Sequence, residues 1–227
     1  MIGGGGYTVP KVLLKEPGVE SVDIAEIEPA LFELGKKYFN VPEDSRLKNH
    51  IVDGRRFLFE NEKPYDFIFS DVYFSFFSLP VHFTTEEFFK LAKKNLNQNG
   101  VFMANLIGKL DNKSPSFIMS EIKTFKAAFP NSYFFAVRSP ELSRGQNIIF
   151  VGLNNDQKID FSDKAISENP DQIISRSGSH LVDLNRIDFS LYDKLTDNFA
   201  PVEYLASKIL NWYGCKTILQ WNLDIFC

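Results

Sequence analysis

Four consecutive glycines, Gly3, Gly4, Gly5 and Gly6, follow Met1 and Ile2, and a helix-forming run starts at Thr8. A glycine run lets the backbone turn sharply and approach a ligand closely, which suits the loop between a buried strand and a helix. About 20 residues on, Asp23-Ile24-Ala25-Glu26 puts a carboxylate at the end of the next apolar run, where it can accept from both hydroxyls of a ribose. Together these features predict a nucleoside-binding α/β unit. Gly3 to Gly6 would pass beneath the ligand, the first amides of the next helix would face its polar tail, and Glu26 would hold the ribose. Strands that feed such loops have about five residues, so the first strand is expected to be truncated.

Downstream, apolar runs and helix signals alternate. Strands are expected over residues 21–25, 47–52, 65–70 and 101–105, the last preceded by the Asn99-Gly100 turn. Helices are expected over 8–15, 29–39 with Pro29 at the first position, 55–60, 84–96 with a Thr84/Glu87 capping box, and 114–129 from Ser114-Pro115. Such alternation predicts a largely parallel sheet covered on both faces. The last two strands, 133–137 and 147–152, stand too close for a parallel crossover and must form an antiparallel hairpin. By analogy, a parallel sheet ending in such a hairpin is a Rossmann-like class I methyltransferase fold, here mostly parallel and seven-stranded. Residues 1–153 are expected to form the nucleoside-binding catalytic domain. The polar stretch 154–179 reads as a surface connection, and residues 182–227 as an extension packing back near the ligand cleft.

Composition excludes several classes. The chain has 227 residues, 44% of them hydrophobic, enough for one sizeable core, and its 23 Phe read as core filling rather than a binding platform. A formal net charge of -4 offers no basic footprint for nucleic acid and suits small cationic partners. Cys215 and Cys227 are too few for a disulfide framework, and with His50, His82 and His180 they suggest no metal site. Apolar stretches are broken by polar residues and no basic signal region opens the chain, so no membrane contact and a cytoplasmic location are expected.

Two further strand ends carry acids. Asp53-Gly54 follows the third strand, where a short carboxylate accepts either an adenine amino group or the amides of a helix it caps. Asp71 follows the fourth, beside the reacting end of a ligand bound in this geometry; the alternative is a loop aspartate bonded to its own backbone. With Glu26-Ile27-Glu28-Pro29, Tyr65-Asp66-Phe67-Ile68, the run Leu79-Pro80-Val81-His82-Phe83-Thr84-Thr85-Glu86-Glu87-Phe88-Phe89, Asn99-Gly100-Val101, Gly145-Gln146-Asn147-Ile148-Ile149 and the string from Leu195 to Glu203, the set resembles the spermidine synthase family of aminopropyltransferases and its spermidine synthase-like relatives. The resemblance covers about residues 1–205.

That resemblance implies that Glu26 binds the ribose, and Asp53 with Gly54 the adenine, of S-adenosylmethionine or its decarboxylated form as co-substrate. It implies that Asp71 contacts an attacking small-molecule amine, and homodimers are common among such synthases. The sequence departs from the family where Asp71-Val72-Tyr73-Phe74 replaces the second acid of a D-x-x-D motif by Phe74, and in lacking the family's N-terminal β-hairpin region. Asp197 and Glu203 are candidates for the missing carboxylate, and Tyr73 and His82 lie in the loop over the site. The nearest alternative is a methyltransferase, marked by Lys11 or Arg55 reaching the cofactor's carboxylate; a pocket without such a cation marks aminopropyl transfer. An NAD-dependent dehydrogenase is disfavoured by Thr8 at the third glycine position of G-x-G-x-x-G and by the absence of a Ser-Tyr-Lys set. A silent nucleoside-binding module is the remaining alternative.

Overall fold

The computed structural model describes residues 1–72, 80–111, 113–142 and 144–210. Six strands, β1 (Val22–Glu26), β2 (Leu47–Ile51), β3 (Tyr65–Ser70), β4 (Leu96–Gly108), β5 (Ser132–Ala136) and β6 (Gln146–Leu153), alternate with five main helices. These are α1 (Thr8–Leu13), α2 (Leu31–Phe39), α3 (Gly54–Glu60), α4 (Glu86–Lys94) and α5 (Phe117–Ala128). The pair β1-β2 is parallel, and the four-stranded set runs β3-β4-β6-β5, with β3-β4 parallel and β6 antiparallel to both of its neighbours. Ile2 joins the two sets through parallel bridges to Ala25 and Ser70. Its N–H donates to Phe69 O at 2.8 Å, while Gly3 N–H donates to Ala25 O at 2.9 Å.

The expected seventh strand is therefore the single bridging residue Ile2 among the described residues, because Gly3, at φ 84°, turns the backbone away at once. The predicted terminal hairpin is present, with β6 inserted between β4 and β5. β4 runs through the predicted Asn99-Gly100 turn: Asn99 takes φ 67° inside the strand, and the register against β3 shifts between Tyr65 and Phe67 to absorb it.

Three helix starts differ from expectation. Pro29 lies ahead of α2, since the Glu26 and Glu28 carboxylates accept the Glu28 and Ala30 amides and hold a turn there. Thr85, not Thr84, caps α4 by accepting from Phe88 N–H, and Ser116 rather than Ser114 caps α5 by accepting from Met119 N–H. Glu87 is thereby released from the predicted capping box and instead accepts from Asp197 N–H at 3.0 Å.

The main core lies between α4, α5 and one face of β3, β4, β5 and β6. Phe88, Phe89, Phe102, Phe125, Phe129, Phe134 and Phe150 are buried there in edge, tilted and stacked ring contacts, as expected for the abundant phenylalanine. Glu121 of α5 is fully buried with both carboxylate oxygens unpaired, and burial raises its carboxyl well above the ordinary value, which favours the neutral acid. Residues beyond β6 pass through three one-turn α-helices and the 3-10 turn Phe189–Leu191, and return to this core through Tyr192, Leu195, Val202 and Leu205. Among the described residues no helix is long and apolar enough to cross a membrane.

Candidate nucleoside site

The carboxyl ends of β1, β2 and β3 converge beside Ile2 and the glycine loop, the switch point at which open α/β sheets bind ligands. Gly3 has no room for a side chain: a Cβ there would lie 2.6 Å from the Asp71 carbonyl oxygen. Gly5 also takes positive φ, at 50°, but faces open space. Beneath the loop the Tyr7 ring is fully buried and fills the place a Gly4 side chain would need, 2.7 Å from its Cβ position. Tyr7 Oη donates to Asn49 Oδ1 at 2.7 Å, and burial, with the Glu26 charge, pushes its hydroxyl up to about 12.

Glu26, only 7% exposed, ends β1 under the loop. Its Oε2 accepts from Gly4 N–H at 2.7 Å and its Oε1 from Glu28 N–H at 2.8 Å. These bonds fix the carboxylate and leave each oxygen a further lone pair for a hydroxyl donor. Asp53 caps α3: Oδ1 accepts the Arg55 and Arg56 amides, each at 3.0 Å, while Oδ2 lies 2.9 Å from His82 Nε2. Burial opposes its charge, but the Arg56 amide, His82 and the Arg55 amide outweigh it and hold the carboxyl below its ordinary value. The helix-cap role is thus realised, and the oxygen free of the cap already meets His82.

Asp71 follows β3 and donates its N–H to Ile2 O at 3.1 Å. Withdrawal of water raises its carboxyl above the ordinary value, opposed by the Asn105 amide, which donates to Oδ1 at 3.2 Å. Tyr73 and Phe74 lie outside the described residues. Glu203 is exposed in the first turn of the closing helix, Val202–Leu210, and among the described residues no hydrogen bond or ion pair joins it to the other candidates.

Asp197 is not a loose carboxylate. It is held by Arg55 in a bidentate pair at 2.8 and 2.5 Å and by Thr85 Oγ1 at 2.7 Å, and the Arg55 bond keeps its carboxyl below the ordinary range. Leu195 O accepts from Glu86 N–H, and Lys194 pairs with Glu86 at 2.5 Å, so this segment straps onto the first turn of α4. Arg55 also donates to His82 O at 3.1 Å, which links the strap to the His82–Asp53 contact. Sequence reasoning missed the pairing role of Arg55, Thr85 and Glu87; only the Leu195-to-Glu203 string hinted at it. Because the native pair depresses the Asp197 pKa, its stabilisation is complete above the ordinary carboxylate value and is lost as pH falls through the native one. Asp197→Asn is accordingly expected to lower stability by about 1 kcal/mol at pH 7 and by nothing in acid. Urea unfolding at both pH values, with Arg55→Ala completing a double-mutant cycle, measures this; a penalty independent of pH would contradict it.

A mixed sheet with a glycine turn, an acid at the next strand end and an antiparallel closing hairpin defines a class I methyltransferase-like fold. The Spermine/spermidine synthase domain family matches residues 1–163, and the chain belongs to that family. It is 26% identical over 211 residues to a polyamine aminopropyltransferase of Vibrio vulnificus, which covers 90% of this chain and 68% of the relative. Against related Bacillus proteins the chain spans 62% of their length. Among solved structures, a probable spermidine synthase from Corynebacterium glutamicum is 26% identical with a TM-score of 0.56, over 70% of this chain and 56% of that one. Human methyltransferase-like protein 13, solved in complex with SAH, is 25% identical with a TM-score of 0.58, over 70% and 72%.

Proposed function

We propose that this chain transfers an aminopropyl group from decarboxylated S-adenosylmethionine to a small amine, in the manner of a polyamine-forming transferase. The observation that carries the choice of donor is the engagement of the two cations that would otherwise mark intact S-adenosylmethionine. The Arg55 guanidinium is bidentate on Asp197, and the Lys11 ammonium donates to Phe39 O at 2.6 Å. A donor without a carboxylate needs neither.

In this reading Glu26 grips the ribose diol, Asp53 and Gly54 lie at the nucleobase end, and Asp71 stands at the reacting carbon. His82 meets Asp53 at the nucleobase end, and Asp197 and Glu203 are the candidate acids of the C-terminal extension. The sulfonium already activates its carbons, so the protein's work is alignment. The acceptor amine has a pKa near that of lysine, about 10, and must first lose a proton. Asp71, with its raised pKa, orients the ammonium and relays that proton outward. The amine lone pair then forms the new C–N bond while the C–S bond breaks, and its electrons stay on sulfur as a neutral thioether nucleoside.

The second reading is methyl transfer from S-adenosylmethionine, favoured by Phe74 in place of the second acid and by the likeness to human methyltransferase-like protein 13. Calorimetry with both nucleosides, followed by mass spectrometry of a diamine and polyamine panel, separates the two. The proposal expects at least tenfold preference for the decarboxylated donor and aminopropylated products. Preference for the intact donor with methylated products would replace it.

A further inference from the structure

Asp71 is served by a two-step amide relay that begins on a strand remote from it in sequence. Asn147 of β6 donates from Nδ2 to Asn105 Oδ1 at 2.9 Å, and Asn105 of β4 donates from Nδ2 to Asp71 Oδ1 at 3.2 Å. Both asparagines are half-buried and on one face of the sheet. In the antiparallel register Asn105 faces Ile149 and Asn147 faces Ile107, which makes the two asparagines diagonal neighbours. Asn105 follows Ala104, which pairs with Ser70, and so stands beside Asp71 across the parallel pair. The residues alternating with them, Ala104, Leu106, Ile148 and Phe150, are buried in the core and fix which way the strands face.

An asparagine amide has two orientations, and only one presents a donor to a carboxylate. With Asn147 donating to its oxygen, Asn105 keeps its NH2 group on Asp71. Reversed, Asn105 would set a carbonyl dipole against the carboxylate.

We propose that Asn147 is a positioning residue for Asp71, locking the Asn105 amide so that it donates to the acid; its place in catalysis rests on the aminopropyl-transfer reading above. Among the described residues, the influences that move the Asp71 carboxyl are withdrawal of water and this one amide, with no charged side chain contributing. Withdrawal of water is the larger influence, and the relay opposes it by favouring the ionised carboxylate. Asn105 touches the acid directly; Asn147 acts only through Asn105.

The test is a carboxyl-¹³C NMR titration of Asp-labelled full chain, with the Asp71 signal identified by its loss in Asp71→Asn. Asn147→Leu leaves Asn105 free to reverse, and the Asp71 midpoint should move to higher pH; Asn147→Asp, which can only accept, should move it further. In an Asn105→Leu background, Asn147→Leu should add nothing, which separates positioning from a general loosening of the sheet. If transfer is measurable, Asn147→Leu should lower kcat about threefold to tenfold at pH below the midpoint, and far less above it, with KM for the nucleoside unchanged. An Asp71 midpoint unmoved in folded Asn147→Leu, or moved equally with Asn105 absent, overturns the proposal. The titration reads the relay without turnover, so it decides the role of Asn147 even where the transfer reading fails. If Asn147→Asp does not fold, the neutral leucine variants decide alone.

Discussion

Replacing Glu26 by alanine is expected to weaken binding of decarboxylated S-adenosylmethionine by roughly 10²- to 10⁴-fold. Two hydroxyl-to-carboxylate hydrogen bonds are lost, each worth about 1.5–3 kcal/mol because the acceptor is charged. A second consequence follows from the carboxylate's present partners. The Gly4 and Glu28 amides both donate to Glu26, so its removal strands two backbone donors and loosens the glycine loop itself. Stability should fall by about 1–3 kcal/mol in addition. Glu26→Gln keeps one acceptor oxygen and should lie between the two. Calorimetry and urea unfolding on the same preparations give both numbers; binding within threefold of the parent would remove Glu26 from the site.

For Asp71→Asn the two readouts should move in opposite directions. Turnover is expected to drop by about 10²-fold or more, as for loss of a positioned acid–base group, while nucleoside affinity stays within a few fold. Stability should hold or rise at neutral pH. The sign follows from the raised pKa: the native state holds the Asp71 proton more tightly than the unfolded chain does. Stability is therefore lost as pH climbs from the unfolded pKa through the native one, and an uncharged asparagine escapes that loss. Below both values the advantage disappears. Thermal unfolding across pH, with single-turnover kinetics at the optimum, checks both. A stability loss at neutral pH would mean that the Asp71 charge is a structural necessity.

The features legible in the sequence are those written in short spacings. The glycines, Glu26, Asp53 and Asp71 each follow or precede a strand within a few residues, so reading the strands locates them, and the nine-residue gap before β6 requires a hairpin. Helix starts are less legible at Pro29, Thr84 and Ser114. At the first two the local capping signal competes with a side chain from elsewhere: the Glu26 carboxylate holds a turn before α2, and the returning strap claims Glu87. Asp197 reads as a spare carboxylate because its partner stands 142 residues away.

The alternation of strands and helices, the glycine turn and the three acids at consecutive strand ends are properties of the sequence alone, because each depends on backbone preferences and burial periods within one segment. What those acids touch is a property of the assembled fold. The Arg55–Asp197 pair needs the C-terminal strap seated on α4, and the Asn147–Asn105–Asp71 relay needs β6 inserted between β4 and β5 in one register. Side-chain hydrogen bonds form over about 3 Å, and which residues come that close is set by how distant strands pair, which no local pattern encodes.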